Sequence, residues 1–367
     1  MHVISMSLDA FRNISAARLE FSPHLNILLG DNGQGKTNTI EALCLALSGK
    51  SPRESTGENF IMKGRDRSVI VCDVKSDDLT DPRVSLTITR EGKKHTLNDS
   101  RIRSRQSLLD MFSVVFFGPD DLRLVKDSPQ VRRDFLNEAI CCLYPGYTAV
   151  LSEYSRTLRQ RGTLLKDYSP SALPLLEVYD DTLVKTGSTL IKYRIRTLKQ
   201  LGNLAAARYE AISGGRERIS VSYISDILKS AASSDEIEGL YATALREARR
   251  NDIYMKTTTV GAHRDDISFF LDASPARKFA SQGQQRSIAL SMKTALTDLI
   301  REVKHQDPLI LLDDVMSELD RGRRDAIAGM LGGSQVFITG SGVDFIPSGD
   351  DARTFRVQAG NITQQTV

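Results

Sequence analysis

The sequence predicts an α/β body interrupted by a mostly helical insert, and three observations point to it. A short apolar run, LNILL, leads through GDNGQGKT into a helical pattern. A second apolar run, PLILLDD, lies far downstream, where a strand buried on both faces of a parallel sheet is expected. Between them, from Leu122 to Arg250, apolar residues recur mostly at helical spacing. The 367 residues exceed what a single core usually serves, so one large and one smaller domain are expected.

Along the first third, HVISMSL and LNILLG read as strands, KTNTIEALCLAL as a helix, and SVIVCDV and VSLTITR as strands again. After SVVFFGPDDL the pattern turns helical, through VRRDFLNEAICCLY and the long stretch LPLLEVYDDTLVKTGSTLIKYRIRTLKQLGNLAAARY. Pro145, Pro170 and Pro174 are expected to break these helices, and Gly214 and Gly215 to form a loop. No heptad persists, so the insert is compact and forms no coiled-coil arm. Beyond residue 255 strands return as DISFFL, PLILLD and SQVFITG, flanking a helix that starts at 281. The expected division is a head in two parts, 1–121 and 251–367, around an inserted helical subdomain, 122–250.

Composition excludes several classes. Hydrophobic residues make up 40% and charged residues 26%, the balance of a soluble globular chain. No apolar run reaches the length of a membrane span, and MHVISMSLDAFRN lacks the regions of a signal peptide. Cys44, Cys72, Cys141 and Cys142 show no C-x-x-C spacing and no companion histidines, so they read as buried thiols in a reducing cytoplasm. Net charge is only +3, so any nucleic-acid surface must be a local patch.

GDNGQGKT, residues 30–37, satisfies G-x-x-x-x-G-K-[ST] between a strand and a helix, as a phosphate-binding loop requires. Gly30, Gly33 and Gly35 let the backbone curl, with Asp31, Asn32 and Gln34 completing the loop. Lys36 is expected to reach the β- and γ-phosphates, and the Thr37 hydroxyl to ligate Mg²⁺. PLILLDD supplies the second half: Asp313 to hold Mg²⁺ directly or through water, and Asp314 to orient or deprotonate the attacking water. SQGQQRS, residues 281–287, poses a question, because it opens a strongly apolar helix without an apolar side chain. Ser281 and Gln284 have the spacing of a capping box. A helix start is also an anion site. Since GDNGQGKT already has a helix for its phosphates, a second such start is useful if it completes the site of another subunit.

The order phosphate loop, serine–glycine–glutamine helix start, apolar-DD, then SELD (317–320) resembles the ATP-binding cassette head of SMC-like DNA-repair ATPases. The finer text resembles the RecF family: FRN (11–13), GDNGQGKTNTIEA (30–42), VFFGPDDLRLVKDSPQVRRDFLNEAI (115–140), GAHRDD (261–266), ASQGQQRS (280–287) and LLDDVMSELD (311–320). These motifs span nearly the whole chain in the family's order. The resemblance implies an ABC-type, SMC-like P-loop ATPase head with a helical lid and no coiled coil. It implies a cytoplasmic, DNA-binding ATPase that dimerises around two ATP molecules and works with RecO and RecR to place RecA on gapped DNA. Carried over, Lys36, Thr37 and Asp313 bind MgATP, and Asp314 stands where most cassette ATPases place a glutamate. Ser281, Gly283 and Gln284 reach the γ-phosphate of the opposite subunit, with Asp320 crossing the dimer seam. The chain departs from the wider pattern where Thr339 and Gly340 occupy the place of a switch histidine. Within the family pattern, Asn137 replaces aspartate and Ala262 replaces proline. A short Asp314 and no switch histidine imply slow hydrolysis, with ATP as a timer of the dimer; the resemblance implies that this regulatory hydrolysis is weak and DNA-stimulated.

Two basic patches are candidates for DNA. Residues 122–250 hold 20 Lys and Arg against 15 Asp and Glu. On a helix, Lys192, Arg196 and Lys199 share a face that can follow a phosphate backbone. An extended SRIRSR would present Arg101, Arg103 and Arg105 together. No base-reading motif or zinc finger is present, so binding to duplex or gapped DNA is expected without sequence specificity. A transporter subunit would normally carry the switch histidine. A small-molecule kinase would leave SQGQQRS and SELD without work. An SMC-like head with another task, such as DNA defence, differs only in the family-specific motifs.

Overall fold

The computed structural model describes residues 1–53, 57–76, 81–228, 236–330, 332–341 and 351–365. Two compact units result: residues 1–121, 211–214 and 293–367, and residues 122–210 and 215–292.

The first unit begins with β1 (His2–Phe11), β2 (Ile14–Glu20), β3 (Leu25–Leu29) and α1 (Lys36–Ser48). β4 (Arg67–Lys75), β5 (Arg83–Thr89), β6 (Gly92–Leu97), β7 (Ser100–Ile102), α2 (Arg105–Met111) and β8 (Val114–Phe117) follow. Alternation in SVIVCDV and VSLTITR places Ile70, Cys72, Val84 and Leu86 on the buried face of an antiparallel sheet of order β2-β1-β4-β5-β6-β7. α1 is apolar nearly all round, which suits a helix packed against both sheets of its unit. Its one buried carboxylate, Glu41, pairs with Arg12 and accepts from Ser51 Oγ at 2.5 Å.

The second unit contains α3 (Arg123–Lys126), α4 (Pro129–Leu143), α5 (Pro145–Lys166) and the 41-residue α6 (Leu173–Ser213). It continues with β9 (Ile219–Ile224), α7 (Ile237–Met255), β10 (Asp266–Leu271), β11 (Ser274–Pro275), α8 (Ala276–Phe279) and the start of α9 (Gln282–Lys304). Pro145 separates α4 from α5. Pro174 does not break α6, because it falls in the first turn, where no intrahelical amide bond is lost. Gly214 and Gly215, both at positive φ, end α6, with Gly215 N bonded to Glu210 O at 2.9 Å.

One strand lies where the sequence pattern is mostly helical. ISVSYI alternates and forms β9, which pairs antiparallel with β10 from Asp266↔Ile224 to Leu271↔Ile219. DISFFL is therefore a strand as expected, but of a three-stranded sheet in the second unit. That pairing keeps residues 251–292 with the second unit, so the compact division falls at 292/293, whereas the sequence pattern divides at 250/251.

The remaining chain returns to the first unit as β12 (Leu309–Asp313), α10 (Arg321–Met330), β13 (Val336–Gly340), β14 (Ala352–Gln358) and β15 (Asn361–Gln365). The second sheet has the order β15-β14-β3-β13-β12-β8, with β14, β3, β13, β12 and β8 parallel. β12 is buried on both faces, as its unbroken apolar run requires.

The second unit has a polar interior. Arg161, fully buried, donates to Asp180 and Asp252 at 2.7 and 2.8 Å and to Thr258 Oγ1 at 2.8 Å. Removing such an arginine takes a cationic partner from two buried carboxylates, leaving Asp180 to Arg249, and breaking a buried pair of this kind typically costs about 3–5 kcal/mol. His263 is held by Tyr154, whose hydroxyl lies 2.9 Å from Nδ1, and by Thr258 O, 3.1 Å from Nε2. Nε2 therefore donates to the carbonyl and Nδ1 accepts from the tyrosine, which fixes a neutral ring. Burial pushes the His263 pKa down from 6.5 to about 4. The unfolded chain takes up this proton near pH 6.5 and the folded chain does not until about pH 4, so stability falls as pH drops through that window. Urea unfolding from pH 7 to pH 4 should show this loss, and His263→Gln should flatten it. An identical pH profile in the variant would refute this assignment.

Candidate functional site

The phosphate loop leaves the C-terminal end of β3, at the middle of the parallel sheet, where ligand crevices of open α/β sheets form. Its first glycine is a close approach, since a Cβ on Gly30 would lie 2.2 Å from Val357 O. Gly35 caps α1 at φ 119, a conformation that L side chains rarely adopt. Lys36 is 6% exposed and its Nζ donates to Gly30 O at 2.5 Å and Asp31 O at 2.9 Å. The ammonium thus stands inside the loop, held by two of its carbonyl oxygens.

Asp313 ends β12, and Thr339 lies opposite it on β13. One carboxylate oxygen, Asp313 Oδ1, accepts from Thr37 Oγ1 and from Thr339 Oγ1, each at 2.8 Å. Burial raises the Asp313 pKa, while the bonds from Thr339 and Thr37 and the Arg53 charge pull it back. Asp314 has φ 52, its amide donates to Thr339 Oγ1 at 3.0 Å, and its carboxylate accepts from Ser317 Oγ at 2.7 Å. A pocket of about 240 Å³ lies over this junction, lined by Asn32, Gly33, Gly35, Lys36, Thr37, Asn38, Arg53, Asp313, Asp314 and Thr339. Thr37 and Asp313 fit a magnesium ion. Octahedral ligands at 2.0–2.1 Å place adjacent oxygens about 2.9 Å apart, and these two are 2.8 Å apart.

The structure therefore brings Lys36, Thr37, Asp313 and Asp314 together. Gln34 behaves differently: its side chain turns to the β14–β15 hairpin, accepting from Ala359 N at 2.6 Å, and its carbonyl accepts from Gly360 N and Asn13 Nδ2. FRN thereby gains work, Asn13 bracing the loop and Arg12 holding Glu41 of α1. Three pocket residues, Asn38, Arg53 and Thr339, escaped the sequence reading. Thr339 drew notice only as a missing histidine, although its place at a parallel strand end beside β12 is a usable signal. Arg53 sits in a loop after α1, with nothing in the pattern to mark it.

In the second unit, the capping box expected from S-x-x-Q is formed. Ser281 N donates to Gln284 Oε1 at 2.6 Å, and Gln284 N donates to Ser281 Oγ at 3.2 Å. Gly283 lies in the first turn of α9. Asp320, back in the first unit, accepts from Arg323 N at 3.0 Å and so caps α10.

The candidate DNA contacts divide unevenly. On α6, Arg196 and Lys199 are exposed and Lys192 is half-buried on the same face, with the Arg196 guanidinium 5.7 Å from the Tyr144 ring centre. Arg194 points inward, donating to Ala262 O at 2.6 Å and to Asn137 Oδ1 at 3.1 and 3.2 Å. The two positions that depart from the family pattern are thus partners of one buried arginine. SRIRSR is not extended throughout: Arg101 and Arg103 are exposed, but Ser104 caps α2. Arg105 begins that helix and donates to Ser48 O at 2.8 Å. The expected row of three is a pair.

A phosphate loop at the centre of this sheet, a carboxylate pair at the end of the strand one beyond its neighbour and a capped S-x-G-Q helix define the head of an SMC-like ATPase. The family described as RecF/RecN/SMC N terminal domain matches residues 2–359. The DNA replication and repair protein RecF of Lachnoclostridium phytofermentans is 36% identical over 347 residues, 94% of each chain. That of Clostridium acetobutylicum is 34% identical over 367 residues, covering 99% of this chain and 100% of the relative. A solved structure described as the recombination mediator protein RecF-ATP in the RecFOR pathway superposes with a TM-score of 0.92 at 30% identity, covering 100% of this chain and 98% of that one. A Pyrococcus furiosus Smc head, 15% identical with a TM-score of 0.58 over 100% of this chain and 96% of that one, shares the fold alone. The chain belongs to the RecF family.

Because burial raises the Asp313 pKa, its ionised form costs the nucleotide-free fold stability at neutral pH. Asp313→Asn keeps an oxygen for Thr37 and Thr339 and removes that cost. Thermal unfolding without nucleotide should give a higher midpoint for the variant. A lower one would contradict the desolvation argument.

Proposed function

We propose that this chain is a recombination mediator whose ATP-gated dimer binds duplex or gapped DNA. It helps RecO and RecR load RecA at single-strand gaps. The observation that carries the reading is the Thr37–Asp313–Thr339 junction beneath the phosphate loop, supported by the likeness to the RecF–ATP structure. Thr37 and Asp313 would hold Mg²⁺, which neutralises phosphate charge when bound. Lys36 binds the β- and γ-phosphates, and Asp314 orients the attacking water. Ser281, Gly283 and Gln284 complete the γ-phosphate site of a second subunit, with Asp320 at the seam. Hydrolysis is slow, because Asp314 is short and already tied to Ser317. ATP then times the dimer. The setting is the cytoplasm; among the described residues no helix is long and apolar enough to cross a membrane. DNA meets Lys192, Arg196 and Lys199 on one unit and Arg101 and Arg103 on the other, through its backbone.

Sedimentation velocity with Mg²⁺ and either ADP or a non-hydrolysable ATP analogue tests the gate. A dimer is expected only with the ATP analogue, and Ser281→Arg should abolish it. A monomer with the analogue and gapped DNA together, still hydrolysing ATP, would point instead to a self-contained nucleotide enzyme. For the DNA face, Arg196→Ala and Lys199→Ala should each flatten the log affinity against log salt plot by about one. Unchanged slopes would remove that helix from the interface.

A further inference from the structure

Glu217 stands in the short link between α6 and β9, outside every motif, and both of its carboxylate oxygens are engaged. Oε1 accepts from Gln284 Nε2 at 2.6 Å, and Oε2 accepts from Tyr209 Oη at 2.7 Å. Tyr209 is 1% exposed and lies one turn before the end of α6, so its hydroxyl is a fixed point. Glu217 is half-buried between that point and the start of α9.

An amide side chain can present either its oxygen or its nitrogen to a neighbour. An ionised carboxylate only accepts, so Glu217 compels Gln284 to offer its NH₂ and leaves Oε1 for Ser281 N. The capping box then has one arrangement in place of two, and Ser281 is held by its amide and its hydroxyl together. We infer that Glu217, anchored by Tyr209, is a positioning residue that sets the orientation of Gln284 and Ser281 for the γ-phosphate of a second subunit. This rests on the proposed trans-acting role of that helix start. Because the helix start serves the partner's nucleotide, losing the brace should leave a subunit's own ATP binding untouched.

The test uses the full chain with Mg²⁺ and a non-hydrolysable ATP analogue. It compares dimerisation by sedimentation velocity with affinity for a fluorescent ATP analogue at concentrations where the chain is monomeric. Glu217→Ala should weaken nucleotide-dependent dimerisation by about tenfold, the scale of losing hydrogen bonds to a charged group. Monomer affinity should stay within about twofold of wild type. Tyr209→Phe, which keeps the buried ring, should weaken dimerisation in the same direction by less. Glu217→Gln should fall between wild type and Glu217→Ala, because its side-chain amide can turn either its carbonyl or its NH₂ toward Gln284 and no longer compels one orientation. Wild-type dimerisation in Glu217→Ala, or an equal loss of monomer affinity, overturns the inference. Ser281→Arg separates the layers. If it dimerises like wild type, the trans-acting reading fails and the brace falls with it. If it alone is defective, only the brace fails.

Discussion

One buried carboxylate oxygen organises the first unit. Asp313 Oδ1 takes hydrogen bonds from Thr37, at the start of α1, and from Thr339, at the end of β13. These residues join three neighbouring segments at the C-terminal edge of the parallel sheet: the loop after β3, β12 and β13. The register that places Asp313 opposite Thr339 follows from unbroken apolar pairing, Ile310 with Val336 through Leu312 with Ile338. The core thus sets the chemistry. Sliding either strand by one residue would turn its polar terminus away from the loop.

The second unit solves a different problem with charge. Arg161 and Arg194 are buried among carboxylates, carbonyls and tyrosine hydroxyls, an arrangement that stabilises little over an apolar core but tolerates few alternatives. Its role here is to make the segment from GAHRDD through β10 a fixed platform. Asp266 pairs with Arg132 of α4 at 2.7 Å, and Asp265 accepts from the Tyr223 hydroxyl of β9. That platform leads through β11 and α8 to Ser281. On α6, the solvent face carries Lys192, Arg196 and Lys199 while the opposite face carries Arg194 and Tyr209, so a single rigid helix presents both.

The sequence was most legible where local chemistry and long-range packing agree. GDNGQGKT and PLILLDD declared a loop and two strands of one parallel sheet, because glycine spacing and uninterrupted apolar runs have few other uses; that β13 lies between those strands is a matter of topology that neither motif carries. The capping box was readable for the same reason. β9 was less so, since six alternating residues between helices are outweighed by their surroundings. Arg105 was misplaced because Ser104 starts a helix where regular arginine spacing suggested a strand. The Glu217 contact was invisible: it depends on where α6 ends relative to α9, which no local pattern encodes.

The apolar-free opening of α9 is explained if capping and anion binding use different atoms of the same residues. The box consumes the amides of Ser281 and Gln284, the Ser281 lone pair and the Gln284 carbonyl oxygen. It does not consume the Ser281 hydroxyl proton, since that oxygen accepts in the cap and its O–H remains a donor. First-turn geometry likewise directs the amides of Gln282 and Gly283 outward, at the positive end of the helix dipole. A phosphate oxygen can therefore be met by one hydroxyl and two amides without dismantling the cap. An apolar side chain in this turn would cover those donors, and a residue larger than glycine at 283 would hold the opposing backbone away. Structural and functional readings of SQGQQRS are thus one arrangement, in which the cap pre-orients the donors that a second subunit's nucleotide would use.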